Sequence, residues 1–245
     1  MDLTHPTALE TEVDDLWIGS TPAVVLRVAT PPGFNDRLAA IVLAREREVL
    51  DASVPTPIAG LQEGMTTHWQ SYNVLNWPEP EPLALRGVIL RGISEFVTRH
   101  CPDDDDGHQI VGISCWANVL RSGEGLSEHT HAPSYLLGNY LVRAPAGDPA
   151  KDAGGATRYR SPDPGLAAEV VVAPREGQLI VCRGDVPHEV VPHTTAGERI
   201  SIAFDCIVKK QNALLYLGDP RALEPYRGPR WYAPPGQRLL GGSAR

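Results

Sequence analysis

Two different spacings of apolar residues divide the chain at about residue 109. Before that point apolar residues recur at i, i+3 and i+4, which predicts amphipathic helices over residues 37–50 and 83–100. A β-branched apolar run at residues 23–29 predicts a buried strand, whereas residues 1–22 show no clear period and are expected to be a loose lead-in. After residue 109, short apolar or alternating runs punctuated by Gly and Pro predict strands. We expect these strands at residues 110–120, 126–131, 136–142, 157–160, 169–173, 179–182, 188–191 and 199–208.

Many short strands at such spacing are typical of a sandwich or barrel, and helices that precede them can back one sheet. The sequence therefore predicts an α+β fold that is mainly β. We expect a single domain over residues 1–245, with a helical part over about 1–108, a β core over about 109–210 and a tail over 211–245 that wraps the surface.

The last predicted strand has the clearest alternation. Its apolar face is expected to pack on the helices, so the opposite face, with Arg199 and Ser201, looks into the mouth of the barrel. A guanidinium beside a hydroxyl suits a bound carboxylate. The alternative is an edge arginine paired with an acid such as Asp205, and the strand alone favours that alternative.

His129 and His131 are separated by one residue in the run LSEHTHAPSYLLGNY. Because side chains alternate along a strand, this spacing puts both imidazoles on one side, where they form half of a site for a transition metal. His188 in GDVPHEVVPH can supply a further ligand, and Arg199 follows eleven residues later. We interpret these four residues as a mononuclear iron site with an anionic co-substrate beside it. His193 is expected to be a satisfied surface or loop histidine.

Composition narrows the function classes. The net charge of −8 argues against a nucleic-acid-binding face, and no apolar run approaches the roughly 20 residues of a membrane helix. The acidic N-terminus has no apolar stretch typical of a signal peptide. The four cysteines form no C-x-x-C pair, so we expect reduced thiols in a cytoplasmic protein.

The order of these residues resembles that of the iron(II)/2-oxoglutarate-dependent oxygenases, and specifically the bacterial 2OG-Fe(II) oxygenase group with a His-x-His centre. The likeness covers roughly residues 65–210, and the ordered set is specific although no single piece is. The shared features are Trp69-Gln70-Ser71, Trp116-x-Asn118, Gly123, His129-Thr130-His131, Pro133-Ser134, Gly138, Tyr140, Gly155, Asp163-Pro164, Gly177, Pro187-His188 and Glu198-Arg199-x-Ser201. The resemblance implies a double-stranded β-helix, a jelly-roll or cupin-like barrel, backed by N-terminal helices.

The resemblance also implies roles for individual residues. His129 and His188 would bind iron, and Arg199 with Ser201 would hold the distal carboxylate of 2-oxoglutarate. Asn118 is the candidate for the near carboxylate of the co-substrate or for substrate, and Tyr140 or Asn139 would add a hydrogen bond. The candidates for substrate contact are His68, Ser71, Asn73 and Ser134.

His131 stands where the wider family has Asp or Glu. In one outcome His131 ligates iron as the third catalytic histidine; that face is neutral, so metal affinity would depend more on the dianionic co-substrate. In the other outcome His131 turns away, and water, Glu128 or another anion takes the position. We favour ligation, because the two-residue spacing places the ring correctly. Halogenases of the superfamily open this position with a small residue, which makes halogenation the minor alternative here.

The implied activity is oxidation of an unactivated C–H bond of a small molecule, by hydroxylation or by cyclisation or desaturation in a biosynthetic pathway. Fe(II), 2-oxoglutarate and O2 would be used, and succinate and CO2 released. The expected substrate is a free amino acid or a biosynthetic intermediate, with no nucleic-acid or membrane partner; the oligomeric state is open and includes a homodimer. Two alternatives are a cupin-like three-histidine dioxygenase that needs no 2-oxoglutarate, in which Arg199 is structural, and a non-catalytic metal- or ligand-binding barrel.

Overall fold

The structure, a computed structural model, describes residues 9–51, 61–62, 65–66, 73–101, 108–131, 134–147, 153–210, 213–215, 232 and 238–239. Within these ranges the helices are α1 (Phe34–Asp51) and α2 (Pro80–His100), and a 3-10 turn covers Val74–Asn76. The strands are β1 (Thr11–Ile18), β2 (Thr21–Val28), β3 (Leu61–Gln62), β4 (Met65–Thr66), β5 (His108–Leu120), β6 (Gly125–His129), β7 (Leu136–Arg143), β8 (Thr157–Arg160), β9 (Glu169–Val172), β10 (Gln178–Arg183), β11 (His188–Val190), β12 (Arg199–Lys210), β13 (Ala213–Leu215) and β14 (Arg238–Leu239).

The strands form a large and a small antiparallel sheet. The large sheet runs β1-β2-β10-β7-β12-β5-β14, with β13 on β12 and β4 on β5, and the small sheet runs β3-β6-β11-β8-β9. From β5 to β12 the chain passes back and forth between the two sheets, with only the β8–β9 hairpin staying in one. This winding is that of a double-stranded β-helix, so the predicted fold class is confirmed.

The core has two parts, one on each face of the large sheet. The outer face packs on the two helices; for example, Leu85 of α2 and Ile202 of β12 belong to one fully buried cluster. A second cluster lies between the sheets and includes Leu137, Ile180 and Tyr159. The predicted alternation of β12 is confirmed, because its apolar set is buried in the helix-side cluster: Ile200, Ile202, Phe204, Cys206 and Val208.

The loose lead-in predicted for residues 1–22 is wrong where the structure describes it. Thr11–Ile18 form β1, which pairs antiparallel with β2 at the edge of the large sheet. Two consecutive acids, Asp14 and Asp15, break the local alternation that would have revealed the strand. Each acid has its ionic partner on another element, since Asp14 pairs with Arg27 of β2 and Asp15 with Arg99 of α2. Charged side chains on an edge strand also discourage unwanted pairing with other chains.

Element boundaries differ from the predicted ones by a few residues. α2 begins at Pro80, because proline suits the first turn of a helix, where its missing N–H is not needed. β6 ends at His129, so His131 lies just beyond the strand. The tail contributes β13 and β14 to the large sheet, and most of its remaining residues lie outside the described part. None of the described helices is both long and apolar enough to cross a membrane.

Candidate metal centre

Three imidazoles meet at one end of the space between the sheets. β6 and β11 are neighbours in the small sheet, and their register places His129 directly opposite His188. The ring centroids of His129 and His188 are 4.4 Å apart, those of His129 and His131 5.2 Å, and those of His131 and His188 5.0 Å. One ring nitrogen from each histidine lies within 4.8 Å of those of the other two. This is a set of three imidazole nitrogen donors that can share one metal ion.

Hydrogen bonds fix the orientation of two of the rings. The Nδ1 atom of His129 is 2.8 Å from the carbonyl oxygen of Ser127, and Nδ1 of His188 is 3.0 Å from that of Val186. A carbonyl oxygen only accepts, so each Nδ1 carries the proton and donates it. The Nε2 lone pairs of both rings are therefore free for a metal, as in most metal-binding histidines.

The third ring has a different partner. Nδ1 of His131 is 2.6 Å from Oδ1 of Asp205, on the inner face of β12. The indole of Trp116 stacks on His131, with centroids 5.5 Å apart and an angle of 17° between the planes. A carboxylate on one edge and an aromatic plane on one face together define the position of this imidazole.

Burial favours the neutral form of two of the three imidazoles. His188 is 7% exposed, and burial, followed by the charges of His131 and His129, lowers its pKa well below the usual value. Burial also lowers the pKa of His129, with His131 as the second cause. A metal ligand must be deprotonated, so these two imidazoles are neutral and ready to bind near pH 7. The ring of Tyr159 packs against His188, with centroids 5.7 Å apart.

A tight turn holds His131 beyond the end of β6. The backbone N–H of His131 donates to the carbonyl of Gly184 at 2.8 Å, and the N–H of Ser134 donates to the carbonyl of His131 at 2.8 Å. A Cβ atom at Gly184 would overlap the carbonyl oxygen of Ser134, so only glycine permits this close approach. Ser134 itself is 2% exposed, so we find it in the wall of the turn rather than on an accessible surface.

Arg199 lies on the same face of β12 as Asp205, the face that points away from the helices, and is 2% exposed. Its Nε donates to the carbonyl of Gly155 at 2.8 Å, Nη1 to the hydroxyl of Ser201 at 3.0 Å, and Nη2 to the hydroxyl of Thr157 at 3.2 Å. All three acceptors are uncharged, and burial lowers the pKa of Arg199 to about 10. No carboxylate pairs with this guanidinium among the described residues, and one N–H on each terminal nitrogen has no acceptor there.

The alternative in which Arg199 pairs with Asp205 is wrong, because Asp205 binds His131 instead. A buried cation with no counter-ion is unfavourable in a folded protein. The surroundings of Arg199 are therefore suited to an anion from outside the chain.

Other inner-face residues surround the space between the histidines and Arg199. Asn118 lies directly opposite Ser201 in the β5–β12 register and is 5% exposed. Asn139 lies opposite Ala203, and its Oδ1 atom is buried with no hydrogen-bond partner among the described residues. An amide with an unused polar atom favours a ligand or water beside it.

Two predicted contacts are wrong. Tyr140 lies on the helix side of β7, where its hydroxyl donates to Oδ1 of Asn35 at 2.9 Å, so it cannot reach a co-substrate in the barrel. Asn73 caps the 3-10 turn by accepting from the N–H of Leu75 at 3.0 Å, and its amide donates to the carbonyl of Ile113 at 2.6 Å.

The two other substrate candidates, His68 and Ser71, lie outside the described residues. His193 is outside the cluster, as expected, but it is buried in a loop where its Nε2 is 3.3 Å from the carbonyl oxygen of Leu120.

Sequence reasoning missed Thr157, Tyr159 and Asp205. In the sequence, the available signal for the first two was the alternation of the run TRYR, which puts Thr157 and Tyr159 on one face of β8. In the structure that face is the buried one.

Comparisons with known proteins agree with this geometry. Residues 114–205, which include the three histidines and Arg199, match the family model described as "Putative 2OG-Fe(II) oxygenase". No curated protein matches the sequence.

Many solved structures have a similar fold. A prolyl-4-hydroxylase of Pseudomonas putida is 17% identical with a TM-score of 0.51, and the alignment covers 76% of this chain and 92% of that one. AviO1 of Streptomyces viridochromogenes is 13% identical with a TM-score of 0.52, covering 85% and 93%. SnoK, a non-heme alpha-ketoglutarate-dependent carbocyclase from nogalamycin biosynthesis, is 12% identical with a TM-score of 0.51, covering 78% and 82%. At these identities the likeness shows a shared fold.

Proposed function

We propose, from the premise that the chain belongs to the 2OG-Fe(II) oxygenases, that it oxidises an unactivated C–H bond of a small molecule. Like its family, the protein is a dioxygenase that uses Fe(II), 2-oxoglutarate and O2. The observation that carries the proposal is the buried guanidinium of Arg199, which has no acidic partner among the described residues and lies in the same barrel as three converging imidazoles. Such a cation is retained because an anionic ligand completes it.

His129, His131 and His188 would hold the iron through their Nε2 atoms. The donor set fits, because imidazole suits ferrous iron and each Nδ1 atom is already committed to an acceptor. Bound iron supplies the redox chemistry, in which 2-oxoglutarate and O2 are converted to succinate, CO2 and an oxidised substrate. The protein's own task is to position the substrate and exclude water.

Arg199, Ser201 and Thr157 would bind the distal carboxylate of 2-oxoglutarate. The two unused N–H groups of the guanidinium match the two oxygens of a carboxylate, and the hydroxyls of Ser201 and Thr157 hold the fork in place. Asn118, across the sheet from Ser201, remains our candidate for the near carboxylate or for substrate. Asn139 takes the place of Tyr140 as the residue that adds a hydrogen bond, because its amide faces the barrel.

The reaction on the substrate is a hydroxylation, or a cyclisation or desaturation within a biosynthetic pathway. The substrate we propose is a small molecule, such as an amino acid or a biosynthetic intermediate. A cytoplasmic location is supported by the cysteines, since no disulfide joins any two of Cys101, Cys115, Cys182 and Cys206.

One experiment tests this function directly. Anaerobic addition of Fe(II) and then 2-oxoglutarate should produce a visible charge-transfer band, and admission of O2 should yield succinate, faster when the substrate is present. His188→Gln should abolish the band, whereas His193→Gln is the matched control, since that buried histidine lies outside the cluster. Arg199→Met should keep iron but lose 2-oxoglutarate.

Two other results would redirect the assignment. The three-imidazole set also suits a dioxygenase whose substrate chelates iron directly; substrate oxidation with neither the 2-oxoglutarate band nor succinate would identify that enzyme. A protein that binds no iron anaerobically would be a non-catalytic barrel.

A further inference from the structure

The three histidines of the metal centre do not have equivalent partners. His129 and His188 donate through Nδ1 to carbonyl oxygens two residues earlier in their own strands or loops. Such bonds are local, and almost any residue at those positions could provide the carbonyl. His131 instead uses the side chain of Asp205, which is 74 residues away on the other sheet. This partner is specific, because no backbone group could replace it if the side chain changed.

The surroundings of Asp205 connect it to His131 rather than to another function. Asp205 lies on the inner face of β12, in register with Leu137 on one side and Ser114 on the other. Its carboxylate is in contact with the His131 ring and is 17% exposed, while the imidazole is 8% exposed. Among the described residues, the only side chain that pairs directly with the carboxylate of Asp205 is His131, although its charge also acts on His129.

We infer that Asp205 is a positioning residue that holds His131 in the tautomer and orientation needed for metal ligation. The inference rests on the proposed function. The carboxylate accepts the Nδ1 proton of His131, which leaves the Nε2 lone pair for the metal, and Trp116 fixes the plane of the same ring. Outer partners of this kind raise the basicity of the ligating nitrogen as well as fixing its direction.

The contact between His131 and Asp205 also changes the charge of the site. The sequence indicated a neutral three-histidine face, in contrast to a family pattern with one carboxylate on the metal. Asp205 restores a negative charge to the centre, one imidazole away from the metal position. The departure at His131 therefore moves the acid outward instead of removing it, and metal affinity need not depend on 2-oxoglutarate as heavily as a neutral face would require.

The test measures Co(II) binding, without 2-oxoglutarate, to the full-length protein and to three variants. Asp205→Ala removes the acceptor, Asp205→Asn keeps its shape and one oxygen but loses the charge, and Glu189→Gln is the control. Glu189 neighbours His188 in sequence, but its carboxylate pairs with Arg158 and Arg160 of β8 instead of the imidazoles. Affinity is obtained by optical titration, and proton NMR of the Co(II) protein counts the exchangeable, paramagnetically shifted ring N–H signals.

We expect three such signals in the wild type, one for each Nδ1–H. Asp205→Ala should weaken Co(II) binding about 10- to 100-fold and lose one signal, because the unprotected His131 proton exchanges with water. Asp205→Asn should keep three signals and bind about 10-fold more weakly, and Glu189→Gln should match the wild type. A merely structural role for Asp205 would change the melting temperature but neither the signal count nor the shifts.

The contrary outcomes separate the two proposals. Unchanged affinity, within about twofold, with three unchanged signals in Asp205→Ala would overturn the role of Asp205 and leave the metal centre standing. Two signals in the wild type would show that His131 is not a ligand. This result, too, would overturn the role of Asp205 without refuting metal binding by the other two histidines. If Asp205→Ala does not fold, Asp205→Asn with wild-type affinity and identical shifts would overturn the inference. A wild type that binds neither Co(II) nor Fe(II) would refute both proposals.

Discussion

Replacing Arg199 by methionine should cost the empty protein little stability, although the side chain is almost completely buried. Burial lowers the pKa of Arg199 to about 10, against roughly 12.5 for a free guanidinium, and at about 1.4 kcal/mol per pKa unit this is a penalty of about 3 kcal/mol on the folded state. Because the folded pKa is the lower one, the penalty is present throughout the neutral range and disappears only above pH 10. Its three hydrogen bonds, each from the charged guanidinium to a neutral acceptor, return about 1.5 kcal/mol each. The two contributions largely offset each other, so the loss of unfolding free energy should not exceed about 2 kcal/mol.

Urea unfolding in the presence of Co(II) measures two quantities: the stability of the protein without 2-oxoglutarate, and the stabilisation gained when 2-oxoglutarate is added. At a co-substrate concentration 100 times its Kd, the wild type should gain about 2.7 kcal/mol, and Arg199→Met should gain nothing. Arg121→Met is the matched control. Arg121 is more exposed, but it donates to both oxygens of Glu46, which is 4% exposed, at 2.7 and 2.8 Å. Its loss should cost about 2 kcal/mol, since hydrogen bonds to a charged group are broken, and should leave the 2-oxoglutarate response intact.

A larger loss of stability in Arg199→Met than in Arg121→Met would refute this account of Arg199. If Arg199→Met destabilises the empty protein by 3 kcal/mol or more, then the guanidinium has a counter-ion or a packing role that the described contacts do not include. If the variant is stable and still responds fully to 2-oxoglutarate, then Arg199 does not receive the carboxylate. Either result would favour the reading of Arg199 as structural, which belongs to the three-histidine dioxygenase alternative.

Three further predictions concern single side chains. Thr157→Val removes one hydroxyl that orients the Arg199 fork and should raise the KM for 2-oxoglutarate roughly fivefold, as measured by succinate formation; an unchanged KM would contradict the role of Thr157. Tyr140→Phe should lower the unfolding free energy by about 1 kcal/mol through the lost bond to Asn35 and leave 2-oxoglutarate affinity unchanged, and weaker affinity would show that Tyr140 contacts the co-substrate after all. Burial lowers the pKa of His100, so the unfolded chain takes up this proton first as pH falls below about 6.5, and stability should decline there. The decline should be shallower in His100→Gln, as followed by urea unfolding between pH 7 and 5, and an identical slope would exclude His100 as a cause.

The sequence was most informative where local pattern and tertiary structure agree. The alternation of β12 predicted which face carries Arg199 and Ser201, because one face had to be apolar to cover the helices. The spacing of His129 and His131, with His188 farther along the chain, predicted the histidine cluster, since a separation of two residues puts both rings on one side.

Other features could not be predicted because they depend on distant partners. In β7, apolar residues occupy both phases of the strand, so the sequence could not decide whether Asn139 or Tyr140 faces the barrel. β1 was missed because the partners of its acids lie on β2 and α2. The bond between His131 and Asp205 spans the two sheets, and nothing near either residue in the sequence indicates the other.

The winding of the chain between the sheets has a kinetic consequence. His129 and His188 belong to the small sheet and Asp205 to the large one, while His131 extends from a β6 strand end toward both. An ion held by all three imidazoles would be connected to the large sheet through the bond between His131 and Asp205, and so would join the two layers at one point. Separation of the sheets would then have to wait for the ion to leave, so loading should slow unfolding and should protect amide hydrogens of β11 and β12 from exchange to a similar degree.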